Sequence, residues 1–408
     1  MKKILLQIDA CLNSGSTGRI TEDIAKMAMN QGWECYIIHG SRYVNYPSVM
    51  KSFSPGSVMD EYLHYAEYYL LDNDGLASRK ATRHAIKIIE QLHPDIIQLH
   101  DIHDHWLNYK ILFDYLNLLD IPIVWTQHDC WSFTGDCGYF SQLACKQYIN
   151  GCTSDCPYRK TPITRRIINN TKGHYELKKQ LFCKTKNMTL VPVSHWLEGV
   201  LKESFLKDTP IYTILNGIDV NIFRPVDDVE TSLKKYGLEN INYVIGVATA
   251  WSERKGFKDY CRLSSMMPEG AKIVLVGLDE KQRQEAAKYD IIGIARTENV
   301  GDLVALYNGA SIVMNLSYEE TFGLTTVEGF ACGTPSIVYN ATASPELVSP
   351  ETGLIVEPGD IDGVANAVRQ LLSKEKPIET CRERAVKFYN KEDRFQEYIN
   401  LYEELIKQ

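Results

Sequence analysis

Short runs of β-branched and aliphatic residues alternate with longer amphipathic segments along the whole chain, and this alternation limits the fold more than any other feature. It is typical of βαβ units, in which a helix joins two parallel strands of one sheet. The predicted strands cover residues 4–8, 35–39, 96–100, 123–127 and 190–193, and then 243–247, 272–276, 291–294, 312–315 and 336–338. Two such series predict an α/β protein with two doubly wound, Rossmann-like sheets.

The length of 408 residues also favours two domains, because one hydrophobic core seldom serves a chain of this size. We place the join at the Asn-Gly turn and the proline within residues 216–225. The expected domains are 1–215 and 216–390, followed by a helix over 391–408 that packs back on the N-terminal domain. That helix carries an apolar stripe formed by Phe395, Tyr398, Leu401, Tyr402 and Leu405.

The composition describes an ordinary globular protein, with 44% hydrophobic and 24% charged residues. No stretch approaches the roughly 20 apolar residues of a spanning helix. The basic start MKKILLQIDAC differs from a signal peptide because Gln7 and Asp9 interrupt its apolar run. We therefore expect a cytoplasmic protein whose eleven cysteines are thiols or metal ligands rather than disulfides.

The net charge of −8 argues against a general nucleic-acid-binding protein, but the charge is unevenly distributed. Residues 158–188 carry +8, so the rest of the chain carries −16. The basic side chains of this segment are Arg159, Lys160, Arg165, Arg166, Lys172, Lys178, Lys179, Lys184 and Lys186. Such a patch predicts peripheral contact with an anionic membrane or a lipid diphosphate, and a solvated helix face is the alternative.

Ligands of open α/β sheets bind beyond the carboxyl ends of the strands, so the residues after each strand are candidates for function. After the first strand, NSGSTGRIT places Gly15, Ser16 and Gly18 in a polar loop before a helix that we expect to begin at about Arg19. Glycines let backbone amides approach an anion, and a helix N-terminus attracts one, so the loop can face a phosphate. It matches neither the dinucleotide-binding fingerprint nor the P-loop.

Polar clusters follow two later strands of the first half. They are Asp101, His103, Asp104 and His105 after DIIQLH, and His128 and Asp129 after IPIVWTQ. Parallel strands end at one edge of a sheet, so both clusters are expected at the mouth of a cleft between the domains. An isolated histidine is more often structural, but this placement makes His128 a candidate catalytic residue.

In the second half, TAWSERKGF follows the strand 243–247 and brings Arg254 and Lys255 to the edge of the sheet. Fixed cations at this place can neutralise a diphosphate without a metal ion. The alternative is a surface turn that happens to carry two cations.

Two glutamates eight positions apart follow the strand 312–315, in EETFGLTTVEGFACGTP. The turn around Gly323 presents amides at the start of a helix near Thr325, which suits phosphate oxygens. Glu328 on that helix can accept hydrogen bonds from both hydroxyls of a ribose. Glu320, in the loop, would contact the other side of the ligand.

The pair Glu320 and Glu328, followed by ACGTPSIV, resembles the paired-glutamate motif of retaining glycosyltransferases with the GT-B fold, family 4. NGIDVNIFRP resembles the interdomain segment of that family, and ERKGF its diphosphate-binding turn. GSTGRIT and TQHDCWSFTGDC are similar to a branch that makes bacterial surface polysaccharides of the colanic-acid, capsular and exopolysaccharide types. The resemblance extends over essentially the whole chain, and it implies two Rossmann-like domains that face each other across a cleft.

The resemblance also implies roles for individual residues. Glu328 would hold the nucleotide ribose, Glu320 the donor sugar, and Arg254 and Lys255 the diphosphate. His128 would lie against the donor sugar near the anomeric carbon. The remaining donor contacts would come from Gly15, Ser16 and Gly18 and from the amides near Phe322, Gly323 and Leu324. One position departs from the family, since Ala250 stands where an arginine is usual, five residues before the lysine.

The implied reaction is transfer of a sugar from a nucleotide-diphosphate sugar to a hydroxyl of a saccharide, which we expect to be lipid-linked, with retention and without a catalytic metal. A nucleotide-sugar 2-epimerase and a sugar-phosphate synthase can share this fold and remain alternatives. A noncatalytic nucleotide-sugar-binding or scaffold protein is a third possibility.

Four cysteines lie within twenty residues of one another, at Cys137, Cys145, Cys152 and Cys156. Four thiolates can close a structural zinc site that fixes a loop without a core of its own. The spacing is looser than a pair of short knuckles, so reduced thiols, disulfides and an iron–sulfur cluster remain alternatives. The Cys-rich loop, 130–157, and the basic segment, 158–188, belong to the N-terminal domain.

Overall fold

The computed structural model describes residues 2–45, 47–161, 164 and 168–407. They form two compact units. The first comprises Met1–Leu215 together with Phe395–Gln408, and the second comprises Asn216–Arg394. The chain thus leaves the first unit at Leu215 and returns to it at Phe395.

The first unit is built on a parallel sheet. Its strands are β1 (Ile4–Leu12), β2 (Glu34–Val44), β3 (Lys51–Phe53), β4 (Ile96–Leu99), β5 (Ile123–Gln127) and β6 (Met188–Pro192). In the described residues these six strands are ordered β3-β2-β1-β4-β5-β6. The helices are α1 (Gly15–Asn30), α2 (Val58–Leu71), α3 (Arg79–Leu92), α4 (Tyr109–Leu116), α5 (Gln147–Asn150), α6 (Thr171–Phe182) and α7 (His195–Glu203). β4, β5 and β6 are buried along their whole length, as strands covered by helices on both faces must be.

The second unit repeats this plan. Its strands are β7 (Asn242–Val247), β8 (Ala271–Val276), β9 (Ile292–Ile294), β10 (Ile312–Asn315), β11 (Ser336–Tyr339) and β12 (Gly353–Val356). They pair in parallel in the order β12-β11-β10-β7-β8-β9. The helices are α8 (Glu230–Lys235), α9 (Phe257–Leu263), α10 (Glu280–Ala287), α11 (Val300–Gly309), α12 (Leu324–Ala331), α13 (Ser344–Leu347), α14 (Ile361–Leu372) and α15 (Ile378–Tyr389). The two doubly wound sheets confirm the predicted α/β fold class.

The last helix, α16 (Lys391–Lys407), begins in the second unit and ends in the first. Phe395, Tyr398 and Tyr402 are at most 2% exposed and join the core formed by β1, α1 and β2. The hydroxyl of Tyr402 donates to Gln98 Oε1 over 2.6 Å. The apolar stripe therefore packs on the N-terminal unit, as its pattern predicts.

The basic segment 158–188 is not a solvent-facing patch throughout, because two of its cations lie inside the protein. Arg159 is 4% exposed and forms ion pairs with Asp72 and with Asp136, the latter over 3.0 Å. Lys178 is fully buried, donates to the carbonyl of Trp131 over 2.9 Å and lies over its ring. The predicted cations Arg165 and Arg166 lie outside the described residues. The two buried cations instead fix the Cys-rich loop to the rest of the unit.

Helix α2 has an inverted pattern of burial. Its buried residues are Glu61 and His64, which contact Arg42 and Ser78. Its large apolar side chains are exposed, namely Val58, Met59, Tyr62, Leu63, Tyr65, Tyr69, Leu70 and Leu71. Within the part of the chain that the structure describes, no helix has both the length and the hydropathy needed to cross a bilayer.

Candidate functional site

Each sheet has one point at which the strand order reverses, between β1 and β4 in the first unit and between β7 and β10 in the second. Ligands of doubly wound sheets bind beyond the carboxyl ends of the strands at this point. The residues predicted from sequence follow these strands, except for His128 and Asp129, which follow the neighbouring strand β5. The topology therefore brings together the predicted residues of each unit.

In the second unit, the two loops at the reversal point are joined by an ion pair. Lys255 Nζ lies 2.5 Å from Glu320 Oε1, and the hydroxyl of Ser317 donates to the same oxygen over 2.9 Å. The side chains of Lys255 and Glu320 are 21% and 13% exposed, so the pair is close to the surface. A ligand can therefore reach both charges.

The backbone fixes the position of these charges. Gly256 has φ +75° and closes the turn that carries Arg254 and Lys255, and a Cβ there would lie 2.2 Å from the carbonyl oxygen of Leu316. Only glycine fits this close approach. The Tyr318 amide donates to the Arg254 carbonyl over 2.8 Å, and Arg254 Nη1 donates to the Glu319 carbonyl over 2.8 Å.

The electrostatics keep Glu320 ionised. Burial alone would raise its pKa, but the charge and hydrogen bond of Lys255, followed by the charge of Arg254, outweigh burial and lower the pKa below its usual value. The Glu320 amide donates to Thr342 Oγ1 over 2.8 Å, which fixes the backbone of the loop. The site thus presents a fixed carboxylate beside two cations.

Helix α12 follows this loop, and no side chain caps the backbone amides at its start. Gly323 is its N-terminal flanking residue, with φ +107°. Uncapped amides at a helix N-terminus suit an anion. Phe322 is 3% exposed and packs beside Tyr389. One turn into the helix, Glu328 Oε2 accepts a hydrogen bond of 2.8 Å from Tyr307.

In the first unit, α1 begins at Gly15 rather than at about Arg19, so the predicted loop is shorter and Gly18 lies within the first helical turns. Gly15 has φ +67°, and a Cβ there would meet no atom within 4 Å. At Gly18, a Cβ would lie 3.0 Å from the Cβ of Cys11, so this glycine allows α1 to pack closely on β1. No side chain caps α1 either, which leaves the amides near Ser16 available to an anion.

His128 is part of a hydrogen-bonded chain of side chains. Its Nε2 lies 3.0 Å from His100 Nδ1, and His100 Nε2 lies 3.0 Å from Gln7 Oε1. Burial lowers the pKa of His128 to about 4 and lowers the pKa of His100 well below its usual value. Both imidazoles are therefore neutral at pH 7.

A second histidine nearby is charged. His103 Nε2 lies 3.1 Å from Asp129 Oδ2, and its Nδ1 lies 3.4 Å from Asp104 Oδ1. Burial would lower the pKa of His103, but the surrounding carboxylates, Asp129 first, raise it well above its usual value. Asp101 and Asp9 complete the cluster, and burial raises the pKa of both carboxyls, that of Asp9 to about 7.

Two sequence families match this chain. The model described as Glycosyltransferase Family 4 matches residues 17–222, which is half of the chain, and the model described as Glycosyl transferases group 1 matches residues 228–388. The chain belongs to glycosyltransferase family 4. This result confirms the resemblance of the paired-glutamate motif, because the second match contains both Glu320 and Glu328.

Relatives of this glycosyltransferase include enzymes of cell-surface polysaccharide synthesis. It is 28% identical to N-acetyl-alpha-D-glucosaminyl L-malate synthase of Bacillus anthracis and 24% identical to the capsular polysaccharide biosynthesis glycosyltransferase CapM of Staphylococcus aureus. These matches cover 52% and 56% of this chain, and 57% and 64% of the two relatives, so they span less than two thirds of either relative. WcaC of Escherichia coli K12, named for colanic acid biosynthesis, is 22% identical over 98% of this chain and 100% of its own length.

Solved structures show the same fold over the full length. Sucrose-phosphate synthase from Thermosynechococcus elongatus superposes with a TM-score of 0.74 and 18% identity, covering 99% of both chains. HepE from Anabaena, solved in complex with UDP, gives a TM-score of 0.65 and 14% identity, covering 99% of this chain and 100% of that one. The glycosyltransferase thus has the GT-B fold of these proteins.

Sequence reasoning missed several residues of the site. Gln7 lies within the predicted strand 4–8, His100 was taken as the last residue of the strand 96–100, and Tyr307 lies between two predicted strands. A buried polar residue in a strand of a parallel sheet is the signal that could have identified Gln7 and His100. Ala250, where the family usually has an arginine, is exposed in the loop after β7.

The four cysteines of the Cys-rich loop line one small cavity together with Gly135 and Tyr148. The Gly135 amide donates to Cys152 Sγ over 3.2 Å. Among the described residues, one group has its possible metal-ligand atoms within 4.8 Å of one another, and its members are Asp72, Asp136 and His174. The four sulfur atoms are not in that group, so they lie farther apart than the ligands of one ion would. Arg159 already supplies the positive charge for that acidic group.

Proposed function

We propose that the protein transfers a glycosyl group from a nucleotide-diphosphate sugar to a hydroxyl of a saccharide acceptor in surface polysaccharide synthesis, with retention of anomeric configuration. The observation that carries this proposal is the Lys255–Glu320 ion pair at the strand reversal of the second unit, beside the uncapped start of α12. This arrangement supplies opposite charges for the two ends of a sugar diphosphate.

The chemical difficulty of the reaction is the departure of a nucleoside diphosphate. Lys255 and Arg254 hold positive charge where that group would develop negative charge, and the first amides of α12 add hydrogen-bond donors. Lys255 would exchange its contact with Glu320 for a phosphate oxygen. Glu320 would then be free to accept hydrogen bonds from sugar hydroxyls.

Two further features of the proposal follow from these charges. The two cations provide the neutralisation that a divalent ion gives in other transferases, so catalysis would need no metal. The acceptor would attack from the face that the diphosphate leaves, and a diphosphate oxygen would take its proton. That route gives retention without a covalent nucleophile.

Other residues predicted from the sequence would make the remaining donor contacts. Glu328, oriented by Tyr307, would accept hydrogen bonds from the ribose hydroxyls. The amides of Gly15 and Ser16 at the start of α1 would face a phosphate, and His128 would contact the sugar. HepE was solved with UDP, which makes UDP-sugars the first donors to test.

The test is nucleotide release from a panel of UDP-, GDP- and ADP-sugars, with and without saccharide acceptors. We expect release that depends on acceptor for one donor class. Glu320→Gln should abolish turnover while nucleotide affinity, measured by calorimetry, stays within about threefold. Release without acceptor at the same rate would favour hydrolysis or epimerisation, and binding without turnover for every donor would contradict the proposal.

We also propose that helices α2 and α3 hold the enzyme on the anionic inner face of the cytoplasmic membrane, where a lipid-linked acceptor would be found. The exposed apolar face of α2 includes Met59 and Leu70, which are 66% and 65% exposed. Exposed tyrosine beside exposed leucine is typical of helices that lie in the membrane interface.

Charge complementarity favours a membrane as the partner. α3 follows α2 and buries an apolar stripe inside the unit, while Arg79, Lys80, Arg83 and Lys87 stay exposed. The two helices are neighbours, since His64 Nδ1 on α2 lies 2.8 Å from Oγ of Ser78, the residue before α3. Each basic residue near an anionic bilayer contributes about 1 kcal/mol to membrane binding. A two-fold dimer through this face would instead bring the basic residues of two copies together, and their like charges would repel.

Vesicle sedimentation tests this surface. The wild type should bind phosphatidylglycerol vesicles but not phosphatidylcholine vesicles, and salt should weaken binding. The variants Leu63→Ser with Leu70→Ser, and Arg79→Gln with Lys80→Gln, should each lower binding severalfold. Lys184→Gln with Lys186→Gln is the matched control from segment 158–188, where both side chains are exposed. Equal loss in that control, or a dimer that the leucine variant dissociates, would overturn the assignment.

For the four cysteines, we propose one structural zinc ion. Three of them, Cys137, Cys152 and Cys156, are at most 5% exposed, and all four line the same cavity. Zinc would draw the sulfur atoms together and hold a loop that has few regular elements. Elemental analysis of purified protein should give one zinc per chain, lost in Cys152→Ser. Full thiol titration of a metal-free native protein would contradict the proposal.

A further inference from the structure

A buried chain of three side chains connects the core of the first unit to His128. It runs from Gln7 on β1 through His100, just after β4, to His128, just after β5, with 3.0 Å at both links. Gln7 is fully buried and His100 is 2% exposed, while His128 reaches the surface in part. Each link joins two groups that can donate or accept, so the direction of the chain decides what His128 can bind.

The direction is fixed at Gln7. Its Nε2 donates to the backbone carbonyl of Thr21 over 3.0 Å, and a carbonyl oxygen can only accept. The oxygen of the amide therefore faces His100, because the other end of the same amide is the NH2 group. An amide oxygen can only accept, so His100 Nε2 must carry a proton.

The proton on His100 Nε2 determines the next link. Burial, and then the neighbouring His128, keep His100 neutral, so it has one ring proton and its Nδ1 carries a lone pair. His128 Nε2 lies 3.0 Å from that lone pair and must donate to it. The ring planes differ by 16°, which lets the N–H and the lone pair align.

We infer that Gln7 and His100 are positioning residues that hold His128 in the tautomer with its proton on Nε2 and its lone pair on Nδ1. In this tautomer Nδ1 accepts a hydrogen bond, so the group that it contacts must be a donor. This inference rests on the proposed function for the identity of that donor, which is a hydroxyl of the donor sugar. A phosphate oxygen, which has no proton to give at neutral pH, is excluded from Nδ1.

The neighbouring charges do not compete with this arrangement. The titratable groups near His128 include His100, Asp129 and His103. Asp129 favours a proton on His128, whereas the positive charge of His103 disfavours one, and burial is the largest influence. His103 is held by its own carboxylates, so the charged histidine and the neutral chain remain separate.

Nitrogen NMR of ¹⁵N-histidine-labelled protein tests the tautomer directly. Two-bond proton–nitrogen spectra at pH 7 distinguish a protonated Nε2 from a protonated Nδ1, and the signals lost in His128→Gln assign the residue. We expect His128 as the Nε2–H tautomer between pH 6 and 8. The Nδ1–H tautomer or an imidazolium in this range would overturn the inference.

Gln7→Met and Gln98→Met form a matched pair. The two glutamines are fully buried and face each other on β1 and β4, but Gln98 bonds to Thr126 and Tyr402 instead of the histidines. Gln7→Met should give His128 a mixture of tautomers and lower kcat about tenfold, the scale of outer-sphere substitutions at sites with oriented histidines. Gln98→Met should leave the tautomer unchanged. Equal NMR changes in both variants would contradict the proposed role of the chain Gln7–His100–His128.

Two substitutions of His100, the central residue of the chain, test whether a hydrogen-bond acceptor restores the activity. His100→Phe removes the acceptor for His128 and should lower kcat about tenfold, whereas His100→Gln keeps an amide oxygen for it and should recover part of the loss. The spectrum of the wild type decides the inference even if a variant fails to fold. If His128 is the Nε2–H tautomer but the protein transfers no glycosyl group, the proposed function is refuted and the role of Gln7 and His100 is not.

Discussion

The two units place their candidate residues at the same position of similar sheets, yet they hold them in opposite ways. In the second unit the residues are charged and paired with each other, as in Lys255 with Glu320. In the first unit His128 is neutral and is held by a neutral chain, while the charges lie in the neighbouring cluster around His103. Under the proposed function, the second unit would supply charge to the donor and the first would supply directional hydrogen bonds.

The largest expected effect concerns the charge of the second unit. Lys255→Ala should lower kcat/KM about a thousandfold, or about 4 kcal/mol, because it removes a cation beside the departing diphosphate. Steady-state kinetics with the identified donor measure this. Lys258→Ala, three residues later and exposed, is the control and should change kcat/KM less than threefold. Similar losses in both variants would mean that general positive charge matters and not the paired lysine.

The next effect concerns the charged cluster of the first unit. His103→Gln should destabilise the fold by about 2 kcal/mol, because it leaves the partly buried Asp129 and the neighbouring Asp104 without their cation. Urea unfolding at pH 7 measures the change. His195→Gln removes an exposed pair with Glu198 and should cost less than about 0.5 kcal/mol. A small effect at His103 would show that water or proton uptake compensates the carboxylates.

A smaller effect should appear in the pH dependence of stability. Burial raises the pKa of Asp9 from 3.8 to about 7, so between these values the folded state keeps a proton that the unfolded state releases. The free energy of unfolding should therefore fall as pH rises from 4 to 7, by at most about 1.4 kcal/mol per pH unit from this group. Asp9→Asn should flatten this slope, leaving the part due to Asp101. If the slope is unchanged in Asp9→Asn, a group other than Asp9 binds the proton that the folded state keeps.

The smallest effect compares the starts of α1 and α12. Gly15→Ala should cost about 1 kcal/mol, because the residue has φ +67° but no atom blocks a Cβ. Gly323→Ala should cost more, since φ is +107° and a Cβ would lie 3.1 Å from Leu347 Cδ1. Thermal unfolding measures both. Equal costs would show that backbone strain alone limits the two helix starts.

The sequence predicted the elements whose pattern is local. The strands at 123–127 and 312–315 have the predicted bounds, because each is a buried apolar run between breaks. The strands β3 and β12 were missed. Both are sheet edges, and only β2 or β11 pairs with them, so their short sequences carry little of the apolar signal.

Interactions between distant positions could not be predicted. Arg159 and Lys178 looked like surface cations because their partners lie far away in sequence, and Asp72 is 87 residues before Arg159. The hydrogen-bonded chain to His128 could not be predicted for the same reason, since Gln7 and His100 are separated by 93 positions. The two residues of the ion pair in the second unit were identified as candidates, because ERKGF and the paired glutamates are short motifs with a known family meaning, but their pairing was not predicted.

The path of α16 has a consequence for building hybrid enzymes. Because the first unit is completed by residues from Phe395 onward, the second unit cannot be exchanged with a single junction near residue 215. A second junction is needed near Arg394, so that the native tail stays with the core that it covers. The segment to exchange is Asn216–Arg394, which would be inserted into the first unit of another protein as an internal domain with two junctions.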